Sequence, residues 1–544
     1  MKGHLALVAS LYCLALALRL VPLTFSPLPY NIDGFPLAHI AAQITSTGSW
    51  QIHPQDPNAY NEMMPVYSLV WSSASQLGGL DPLAYLQTVL PLVLATVVLP
   101  AYLLGVKATG HPAAGFAAGL FVASFGSFLS VTTMGMKESV ALVLLPTVVL
   151  LFAERRDPRK RGLAFLLLLV LPFLHQLSDF LILGMVAALV VLTHARAIQR
   201  GRFSVRSLLL DIATGPGPAV VAYVYYVTVD MPDLSAVTSP DALALFLGVT
   251  LLLSALLVHM TRPASGRTGA RLVRPASPIL FVPVVAFAAL LVNARMDLFA
   301  GVLETQPALE PIMVAVVALV AFAFLGYQLL RRTANRFSDL VIAMGIAPVA
   351  LVLFAFLRGL DGLSQVLVYR SFDFLDYGFA VAIGAGFALV WRRLRRRDAA
   401  RLLLAAGFLG VLLATTPIAW NTQAVFGVDN VTTPSEYQAL AVLASLHAGN
   451  VTTDQRLADV GRMWFGLSTD SNLPFLLQGN RTISGPAFAL VMDRWTTVGA
   501  QVHPQPNVVL SVPALAAFLS ANRIVYVAGS TGDRIYVVQL AGSG

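Results

Sequence analysis

Cysteine and charged residues are the two components that this 544-residue chain has little of. Cys13 is its single cysteine, so the sequence supports neither an internal disulfide nor a cysteine metal site. Charged residues make up 11% of the chain, against roughly 25% in soluble domains. Hydrophobic residues make up 57%, and the mean hydropathy is +0.75. This composition excludes an ordinary soluble protein and is typical of a polytopic membrane protein.

Sequence motifs for nucleotide and metalloprotease chemistry are also missing. The chain contains no Walker loop, no H-E-x-x-H, no G-x-S-x-G, and no G-x-G-x-x-G at the start of a soluble domain. These absences argue against an ATP-driven pump, a zinc protease and a nucleotide-sugar enzyme of the Rossmann type.

Long apolar runs fill residues 1–420 and predict a polytopic α-helical membrane domain. With a cytoplasmic N-terminus and an odd number of spans, the C-terminus lies outside. Two neighbouring runs, 161–174 and 177–195, are short enough to form one re-entrant feature instead of two spans. The runs predict about thirteen transmembrane helices, near 4–24, 83–105, 112–134, 138–154, 161–174, 177–195, 207–229, 241–260, 277–293, 311–330, 337–357, 374–391 and 401–420.

Lysine and arginine are distributed unevenly between the predicted loops. More than half of the 35 fall on the cytoplasmic side, for example in "ERRDPRKRG", "RRTANR" and the segment 392–401. Before residue 421, the outer loops hold only Lys137, Arg295, Arg358 and Arg370. This asymmetry follows the positive-inside rule. The net charge of +8 therefore indicates contact with membrane lipids and no nucleic acid partner.

The composition changes after the last apolar run, and residues 421–544 predict an extracytoplasmic α/β domain. The stretch 435–449 reads as an amphipathic helix, "VPALAAFLSA" as a second helix, and 522–540 as two strands joined by a turn. This region also holds three N-x-S/T sequons, which makes Asn430, Asn450 and Asn480 candidates for N-glycosylation.

Ionisable residues at the predicted outer face are candidates for function, because charge at a membrane surface is costly without a partner or a role. The first external loop, 25–82, places Asp33 directly after the first span and His39 in an interfacial helix over 36–47. Asp56, Glu62 and Asp81 of the same loop read as solvated charges. The other outer loops supply the remaining candidates for substrate binding: Lys137, Glu138, His175, Asp179, Arg358 and Arg370.

These residue types suit group transfer from a phosphate donor. A carboxylate can act as general base toward a hydroxyl or amide nucleophile, and the planar fork of arginine binds two phosphate oxygens. Purely structural roles remain open for the same residues. Glu138 can favour a helix N-terminus, His39 can complete an amphipathic face, and Arg370 can extend to lipid headgroups. Arg19, at the outer end of the first span, is a further candidate.

The order of these segments resembles the GT-C superfamily of integral-membrane glycosyltransferases. "LRLVPL" closes the first span, "NIDGFPLAHIAAQITSTGSW" follows, and "YNEMMPVYSLVWSSASQLGGLDPLAYLQTVLPLVLATVVLPAYLLG" leads into the second span. "MKESVALVLL", "LPFLHQLSDFLIL" and "VYRSFDFLDYGFAVAIG" stand where such proteins carry further outer-face residues. The sharpest part of the resemblance covers residues 15–105.

The resemblance implies a sugar donor linked to polyprenyl or dolichyl phosphate. Carried over, Asp33 is the catalytic base, Arg370 a ligand of the lipid phosphate, and Lys137 or Glu138 a residue that shapes the site. The acceptor is a protein, a glycan or a lipid. One branch of the superfamily uses a divalent metal such as Mg or Mn, for which Asp33 and Glu138 are the candidate ligands; no cofactor is certain from the sequence.

Several functions remain open at this point. The oligosaccharyltransferase branch carries W-W-D in its external domain, which this chain lacks, so a layout like that of protein mannosyltransferases or aminoarabinose transferases is favoured. An oligosaccharyltransferase-like enzyme remains an alternative. A transporter or lipid-linked-sugar flippase is a second alternative, with "DIATGPGPAV" (211–220) as a broken span. A third is a non-catalytic surface assembly protein.

Overall fold

The described part of the chain is mostly helical up to residue 420 and contains a small sheet after residue 431. The computed structural model describes residues 2–231, 245–246, 248–255, 310–333, 335–359, 362–420, 431–479, 481, 483, 485–502 and 505–540.

Fourteen α-helices form the first described stretch, and residues 248–255 are helical as well. The helices are α1 (Lys2–Arg19), α2 (Gly34–Thr47), α3 (Ala59–Glu62), α4 (Val66–Gly78), α5 (Pro82–Thr88), α6 (Leu90–Leu94), α7 (Val98–Thr109), α8 (Pro112–Ser124), α9 (Gly126–Thr133), α10 (Lys137–Ala153), α11 (Pro158–Val170), α12 (Gln176–Gln199), α13 (Val205–Thr214) and α14 (Ala219–Thr228). The helix expected over 36–47 is confirmed as α2, which ends where Gly48 adopts the left-handed conformation, and its position at the membrane interface stays a prediction.

Five helices follow before the sheet: α15 (Glu310–Thr333), α16 (Arg336–Arg358), α17 (Gly362–Arg393), α18 (Asp398–Thr415) and α19 (Pro417–Trp420). Helices α15 and α17 cross at very short range. A Cβ atom at Gly326 would overlap the backbone of Ala382, and one at Gly386 would overlap the backbone of Phe322. Small residues at such crossings let membrane helices pack backbone to backbone.

Seven helical segments among the described residues are long and apolar enough to cross a membrane. They are Gly3–Thr24, Pro82–Thr109, Gln176–Gln199, Val205–Thr228, Arg336–Arg358, Val366–Arg393 and Asp398–Trp420. The pair α8 and α9, bent by 59°, adds an eighth. The chain is therefore a multi-pass membrane protein. The total of thirteen spans stays a prediction, because 277–293 and half of 241–260 lie outside the described residues.

Helix α17 corrects one expectation from the sequence. The segment 358–378 reads as an outer loop followed by a span at 374–391, but the helix already begins at Gly362 and runs for 32 residues. At 1.5 Å per residue it is about 48 Å long, more than the ~30 Å core of a bilayer. Arg370, Asp373 and Asp376 therefore stand on successive turns of a helix. The loop prediction was wrong because charge was taken as a sign of solvent, whereas Arg370 is paired with Glu138 of α10 and the two aspartates are buried or partly buried.

Charged residues from several predicted cytoplasmic loops converge at one end of the helical bundle. Glu154, directly after α10, accepts hydrogen bonds from Lys107 Nζ at 2.6 Å and from Lys160, and Arg336 lies 3.8 Å away. At the same end Arg196 pairs with Asp339. The loops that the charge pattern assigns to one side thus do meet, and the assignment of that side to the cytoplasm stays a prediction.

The chain from residue 431 onward contains α20 (Pro434–Ser445), α21 (Gln455–Phe465), α22 (Leu473–Gln478) and α23 (Val512–Ala521). Its strands are β1 (Asn450–Thr452), β2 (Ser468–Asp470), β3 (Phe488–Met492), β4 (Ala500–Val502), β5 (Gln505–Val508), β6 (Arg523–Ala528) and β7 (Ile535–Gln539). The five-stranded sheet has the order β2-β1-β3-β7-β6, parallel among its first three strands and antiparallel beyond. Strands β4 and β5 form a separate antiparallel pair. The helix expected over 435–449, the helix in "VPALAAFLSA" and the two strands in 522–540 are all confirmed.

A buried ion network fixes the start of this sheet region. Glu436, in the first turn of α20, accepts hydrogen bonds from Arg456 at 2.6 and 2.9 Å and from Arg494. Arg456 also donates to the carbonyl of Val431, 2.6 Å away. Because these groups are buried, removal of one partner would leave a desolvated charge. The network therefore holds the chain that enters this region in a defined position.

Candidate active site at one end of the helical bundle

Asp33 occupies the N-cap position of α2, but its carboxylate does not cap the helix. Its backbone N–H donates to Asn31 Oδ1 at 2.8 Å, and no described residue donates a hydrogen bond to its carboxylate. The side chain keeps solvent-accessible surface. Desolvation by surrounding protein nevertheless raises the pKa of Asp33, while Arg370 and Lys137 act in the opposite direction. An accessible yet partly desolvated carboxylate indicates a recess and not a convex surface.

Helix α10 brings two of the predicted residues to this recess. Lys137 and Glu138 form its first turn, and both are buried. Lys137 Nζ donates to Asn61 Oδ1 at 2.7 Å and lies 4.6 Å from the centre of the Tyr60 ring. Glu138 pairs with Arg370 of helix α17 through its Oε2, while its Oε1 has no hydrogen-bond partner among the described residues.

His175 joins the same cluster from helix α12. Its Nδ1 lies 2.7 Å from Ser178 Oγ and caps the helix by accepting the backbone N–H of Ser178 at 3.4 Å. Burial holds the pKa of His175 well below its ordinary value, and Lys137 and Arg370 act in the same direction. The ring is therefore neutral at neutral pH and offers one N–H donor.

Three helices begin at this site, because α2 follows Asp33, α10 starts at Lys137, and α12 starts directly after His175. The N-terminus of a helix carries a partial positive charge and unpaired N–H groups. Such termini attract anions, phosphate in particular. The convergence of three termini with Lys137 and Arg370 makes this end of the bundle suited to a negatively charged group.

Two more carboxyl groups lie beside the cluster on helix α17. Asp373 is buried one turn beyond Arg370 and within electrostatic range of it and of Glu138. Asp376 follows after another turn and is partly buried. Arg370 therefore stands among several acids, with Glu138 as its direct partner.

Helix α21 covers α2 from the C-terminal side. The ring of Trp464 lies edge-on to His39 at 5.8 Å and to Phe35 at 6.4 Å between ring centres. The Trp464 Nε1–H donates to Tyr437 Oη at 2.8 Å. Asp459 of the same helix lies within electrostatic range of Asp33. His39, which also contacts Gln43 at 2.9 Å, therefore belongs to the interface with α21, and desolvation lowers its pKa.

Two other predicted residues, Asp179 and Arg19, make their hydrogen bonds outside the cluster. Asp179 is buried in α12 and accepts from Tyr226 Oη at 3.2 Å, while its Oδ1 has no described partner. Arg358 is the last residue of α16. Arg19 is buried and donates to the carbonyls of Ala15, Val122 and Ala123 and to Thr132 Oγ1, so it ties α1 to α8 and α9. Asn450 is exposed at the start of β1, whereas Asn430 and Asn480 lie outside the described residues.

The sequence did not single out Asn61 and Tyr60, and it misjudged Glu62. Glu62 is 1% exposed and accepts from the backbone N–H of His53 at 2.5 Å and its ring nitrogen at 2.9 Å. It is therefore a buried anchor of the first external loop and not a solvated charge. The sequence did contain a signal: these residues have apolar and aromatic neighbours in "AYNEMMPVY", and such neighbours are unusual in a freely solvated loop.

A divalent cation needs several oxygen or nitrogen ligands around one point. Within the described ranges, no group of three or more His, Cys, Asp and Glu side chains gathers in that way. Of the two predicted ligands, Glu138 is engaged by Arg370, and Asp33 faces two cationic side chains. The arrangement does not fit a metal site, and no catalytic step is derived through one.

Comparison with solved structures supports the resemblance found in the sequence. The archaeal oligosaccharyltransferase AglB from Archaeoglobus fulgidus, in complex with an inhibitory peptide and a dolichol-phosphate, matches 98% of this chain and 74% of its own with a TM-score of 0.52 at 12% identity. The Archaeoglobus fulgidus oligosaccharyltransferase in complex with Zn and sulfate matches 97% of this chain and 72% of its own with the same score at 14% identity. At these identities the likeness shows a shared fold, that of the archaeal oligosaccharyltransferases.

ArnT from Cupriavidus metallidurans, bound to undecaprenyl phosphate, aligns with 98% of each chain at 14% identity, but its TM-score of 0.39 is too low to establish a shared fold. The sequence matches no protein-family model and no curated protein.

Proposed function

We propose that this protein is a membrane glycosyltransferase that moves a sugar from a lipid-phosphate donor to an acceptor on the extracytoplasmic side. The observation that carries the proposal is the position of Asp33, whose accessible carboxylate has no hydrogen-bond donor of its own among the described residues and lies near Lys137 and Arg370. The likeness of the fold to GT-C enzymes supports a lipid-phosphate donor of the polyprenyl or dolichyl type.

In this proposal the donor phosphate lies against the cationic part of the site. Lys137 and Arg370 supply two positive charges, His175 supplies a neutral N–H donor, and three helix N-termini add their dipoles. Glu138 holds the Arg370 side chain in place, so that the guanidinium reaches the phosphate with little loss of side-chain entropy.

The transfer is an inverting displacement at the anomeric carbon. The acceptor hydroxyl or amide attacks from the face opposite the phosphate, and Asp33 takes its proton as the new bond to the anomeric carbon forms. The bond from the anomeric carbon to the phosphate oxygen breaks, and the lipid phosphate leaves as an anion that the cations stabilise. No nucleotide is required, because the lipid phosphate is the activated leaving group.

Residues 421–544 form a separate extracytoplasmic domain in this proposal, and residues 1–420 form the catalytic membrane domain. The contact of Trp464 with His39 supports a role for the domain in supporting α2 and the start of the acceptor path. The sequons would then lie on the side where glycans are attached.

An oligosaccharyltransferase-like activity is a second candidate, favoured by the likeness to the archaeal enzyme over nearly the whole of this chain. The flippase alternative has less support. Its best feature, the break between α13 and α14, is confirmed as a helix interruption at residues 215–218. However, a Cβ atom at Gly215 would come within 2.8 Å of both Phe152 and Val186, so the break is closely packed and does not favour a substrate cavity there.

The test uses the purified full chain in lipid nanodiscs. Labelled sugars on undecaprenyl phosphate and dolichyl phosphate are supplied with peptide, glycan and lipid acceptors, and both the glycosylated product and the released lipid phosphate are measured. We expect transfer from at least one donor, with a product of inverted anomeric configuration. Transfer that is equally fast in Asp33→Asn would contradict the assignment of the base.

The same preparation separates the alternatives. A product carrying a single sugar supports the favoured activity, and block transfer of an oligosaccharide supports the second candidate. In proteoliposomes, movement of intact lipid-linked sugar across the bilayer without cleavage of the phosphate bond would support a flippase and contradict the proposed function.

A further inference from the structure

The surroundings of Lys137 differ from those of the neighbouring cation. Arg370 pairs directly with the carboxylate of Glu138. Lys137 is buried as well, yet its ammonium group contacts a neutral amide oxygen, that of Asn61, and the face of the Tyr60 ring. No carboxylate among the described residues forms an ion pair with Lys137. A buried ammonium that has only neutral contacts is unusual, because desolvation strongly favours a paired anion.

Both neutral partners belong to the short helix α3, which is itself held from three directions. The backbone carbonyl of Glu62 accepts a hydrogen bond from Trp50 Nε1 at 2.8 Å, which anchors α3 within the first external loop. Asn58 donates to the carbonyl of Met463 at 3.1 Å, which links α3 to α21. Tyr225 Oη of α14 donates to the carbonyl of Met63 at 2.5 Å. The position of α3, which carries Asn61, is therefore fixed by the surrounding structure and not by Lys137 alone.

We propose that Asn61 is a positioning residue, whose neutral amide holds Lys137 in place without compensating its charge, so that the charge is available to the phosphate of the lipid donor. This inference rests on the proposed function. Aspartate has nearly the same shape as asparagine and would hold the ammonium at least as firmly. It would also neutralise Lys137 and repel an incoming phosphate. An amide at position 61 therefore favours anion binding by Lys137, although a carboxylate would make the stronger contact with the ammonium group.

The cation is not isolated from all acids. Burial lowers the pKa of Lys137 to about 7, and Asp33, which forms no ion pair with it, acts in the opposite direction. A bound anion would favour the protonated form further. A phosphate placed between them and Arg370 would provide Lys137 with a direct anionic partner. The charge of Lys137 is then satisfied by the donor when it is bound, which ties donor binding to the ordering of this side chain.

The test compares three substitutions at one position: Asn61→Asp, Asn61→Ala and Asn61→Gln. The readout is the dissociation constant for undecaprenyl phosphate and dolichyl phosphate without sugar, measured with the full chain in nanodiscs at fixed ionic strength. We expect Asn61→Asp to weaken binding by on the order of tenfold to a hundredfold, since it adds a negative charge beside the ammonium. Asn61→Ala should weaken binding less, because Lys137 keeps its charge, and Asn61→Gln should remain within a few-fold of the parent chain.

A purely structural role gives the opposite order. The aspartate variant would then bind as well as the parent chain, because it retains the contact with Lys137, and the alanine variant would be the weakest. That order would overturn the proposal. The thermal unfolding midpoint of each variant is measured alongside. If the aspartate variant does not fold, a folded Asn61→Gln variant that binds more weakly than Asn61→Ala would equally contradict a role for the neutral amide.

Failure of the proposed function looks different. If the parent chain binds neither lipid phosphate, both proposals are overturned. If the parent chain binds one of them and the Asn61→Asp variant binds it equally well, only this inference is overturned. Inorganic phosphate serves as competitor: we expect it not to displace the lipid at millimolar concentration, and efficient displacement would assign the site to a free phosphate and contradict the lipid donor.

Discussion

Each end of helix α10 carries a buried glutamate, and the two are partnered in different ways. Glu154, at one end, lies near three basic side chains, those of Lys107, Lys160 and Arg336. Glu138, about 25 Å away along the helix, has one arginine partner and a carboxylate oxygen without a described partner. Complete pairing stabilises a fold, whereas an incompletely paired cluster keeps charge for a ligand.

The same contrast holds for the aspartates. Asp211, at the same end of the bundle as Glu154, contacts Arg155 at 2.8 Å, His194 at 2.9 Å and Arg161 at 3.1 Å. Asp33 at the other end accepts no hydrogen bond from any residue that the structure describes. We refer to the end with Glu154 and Asp211 as the paired end, and to the end with Asp33 and Glu138 as the reactive end. Substitutions at the two ends should therefore affect different properties.

The largest effect is expected from Asp33→Asn at the reactive end. Loss of a general base lowers turnover by about 10²–10⁴-fold. The thermal unfolding midpoint should not fall, because the carboxylate has no hydrogen bond to lose. Turnover with a saturating lipid-linked donor and unfolding of the same preparation are measured together. Asp81→Ala is the control: Asp81 caps α5 by accepting the N–H of Leu83 at 2.8 Å, so its loss should lower stability by about 1 kcal/mol and leave turnover alone.

The reverse result is expected from Asp211→Asn at the paired end. The substitution leaves two arginines without their carboxylate, and breaking a buried ion pair costs about 3–5 kcal/mol. We expect a clearly lower unfolding midpoint in nanodiscs and unchanged turnover per folded molecule. If this variant instead lost turnover while its unfolding midpoint stayed the same, the assignment of a structural role to the paired end would be wrong.

Arg370→Met should weaken binding of the lipid phosphate by about tenfold or more, because a charge-assisted phosphate contact is lost. The variant also leaves Glu138 buried without its partner, which lowers stability. The double variant Glu138→Gln/Arg370→Met separates the two effects. It should recover part of the stability and none of the lipid affinity. Recovery of lipid affinity in the double variant would show that Arg370 acts only through Glu138.

The pH dependence of turnover tests the electrostatics at Asp33. A general base must be ionised, so activity is present above its pKa and is lost as the pH falls through it. Since desolvation raises the pKa of Asp33, turnover should be lost on the acid side at a pH above the usual pKa of an aspartate. Lys137→Met removes a cation that favours the ionised form, and the acid limb of the pH profile should move upward by roughly one pH unit.

Lys107→Met at the paired end removes the same charge near Glu154 and serves as the control for this shift. Its pH profile should coincide with that of the parent chain. An equal upward shift in both variants would mean that the limb reports the net charge of the protein and not the surroundings of Asp33.

The smallest effect is expected from Trp464→Ala in α21. The substitution removes the ring contacts with Phe35 and His39 and the hydrogen bond to Tyr437. If α21 supports α2 and the acceptor path, we expect a several-fold higher KM for the acceptor and an unchanged affinity for the lipid phosphate. A change in lipid affinity alone would place the effect of α21 on the donor side.

Sequence patterns predicted most local elements of this fold. The composition and the apolar runs predicted a multi-pass helical protein, the spacing of apolar residues predicted α2, and the shortened runs predicted the helices and strands after residue 431. These features depend on neighbours along the chain, which is why they could be found without coordinates. The start of α17 could not, because three charged residues suggested a loop, and the pairing of Arg370 with Glu138 of α10 depends on a helix far away in the chain.

The candidate site was predictable in part. Asp33, Lys137, Glu138, His175 and Arg370 were named from their places at predicted span ends, and the structure brings them together. The same rule also selected Asp179 and Arg19, which make their hydrogen bonds elsewhere, because position at a span end says nothing about direction around the helix. Asn61 escaped notice, because a neutral side chain gives no signal of charge.

By itself the sequence determined which segments are apolar enough to enter a membrane and which charges flank them, since transfer of apolar segments into lipid depends on local composition. Only the tertiary structure decided which of those charges are neutralised. Pairing depends on distances between residues far apart in the chain, and a shift of a few ångströms separates an ion pair from a charge that can bind a ligand.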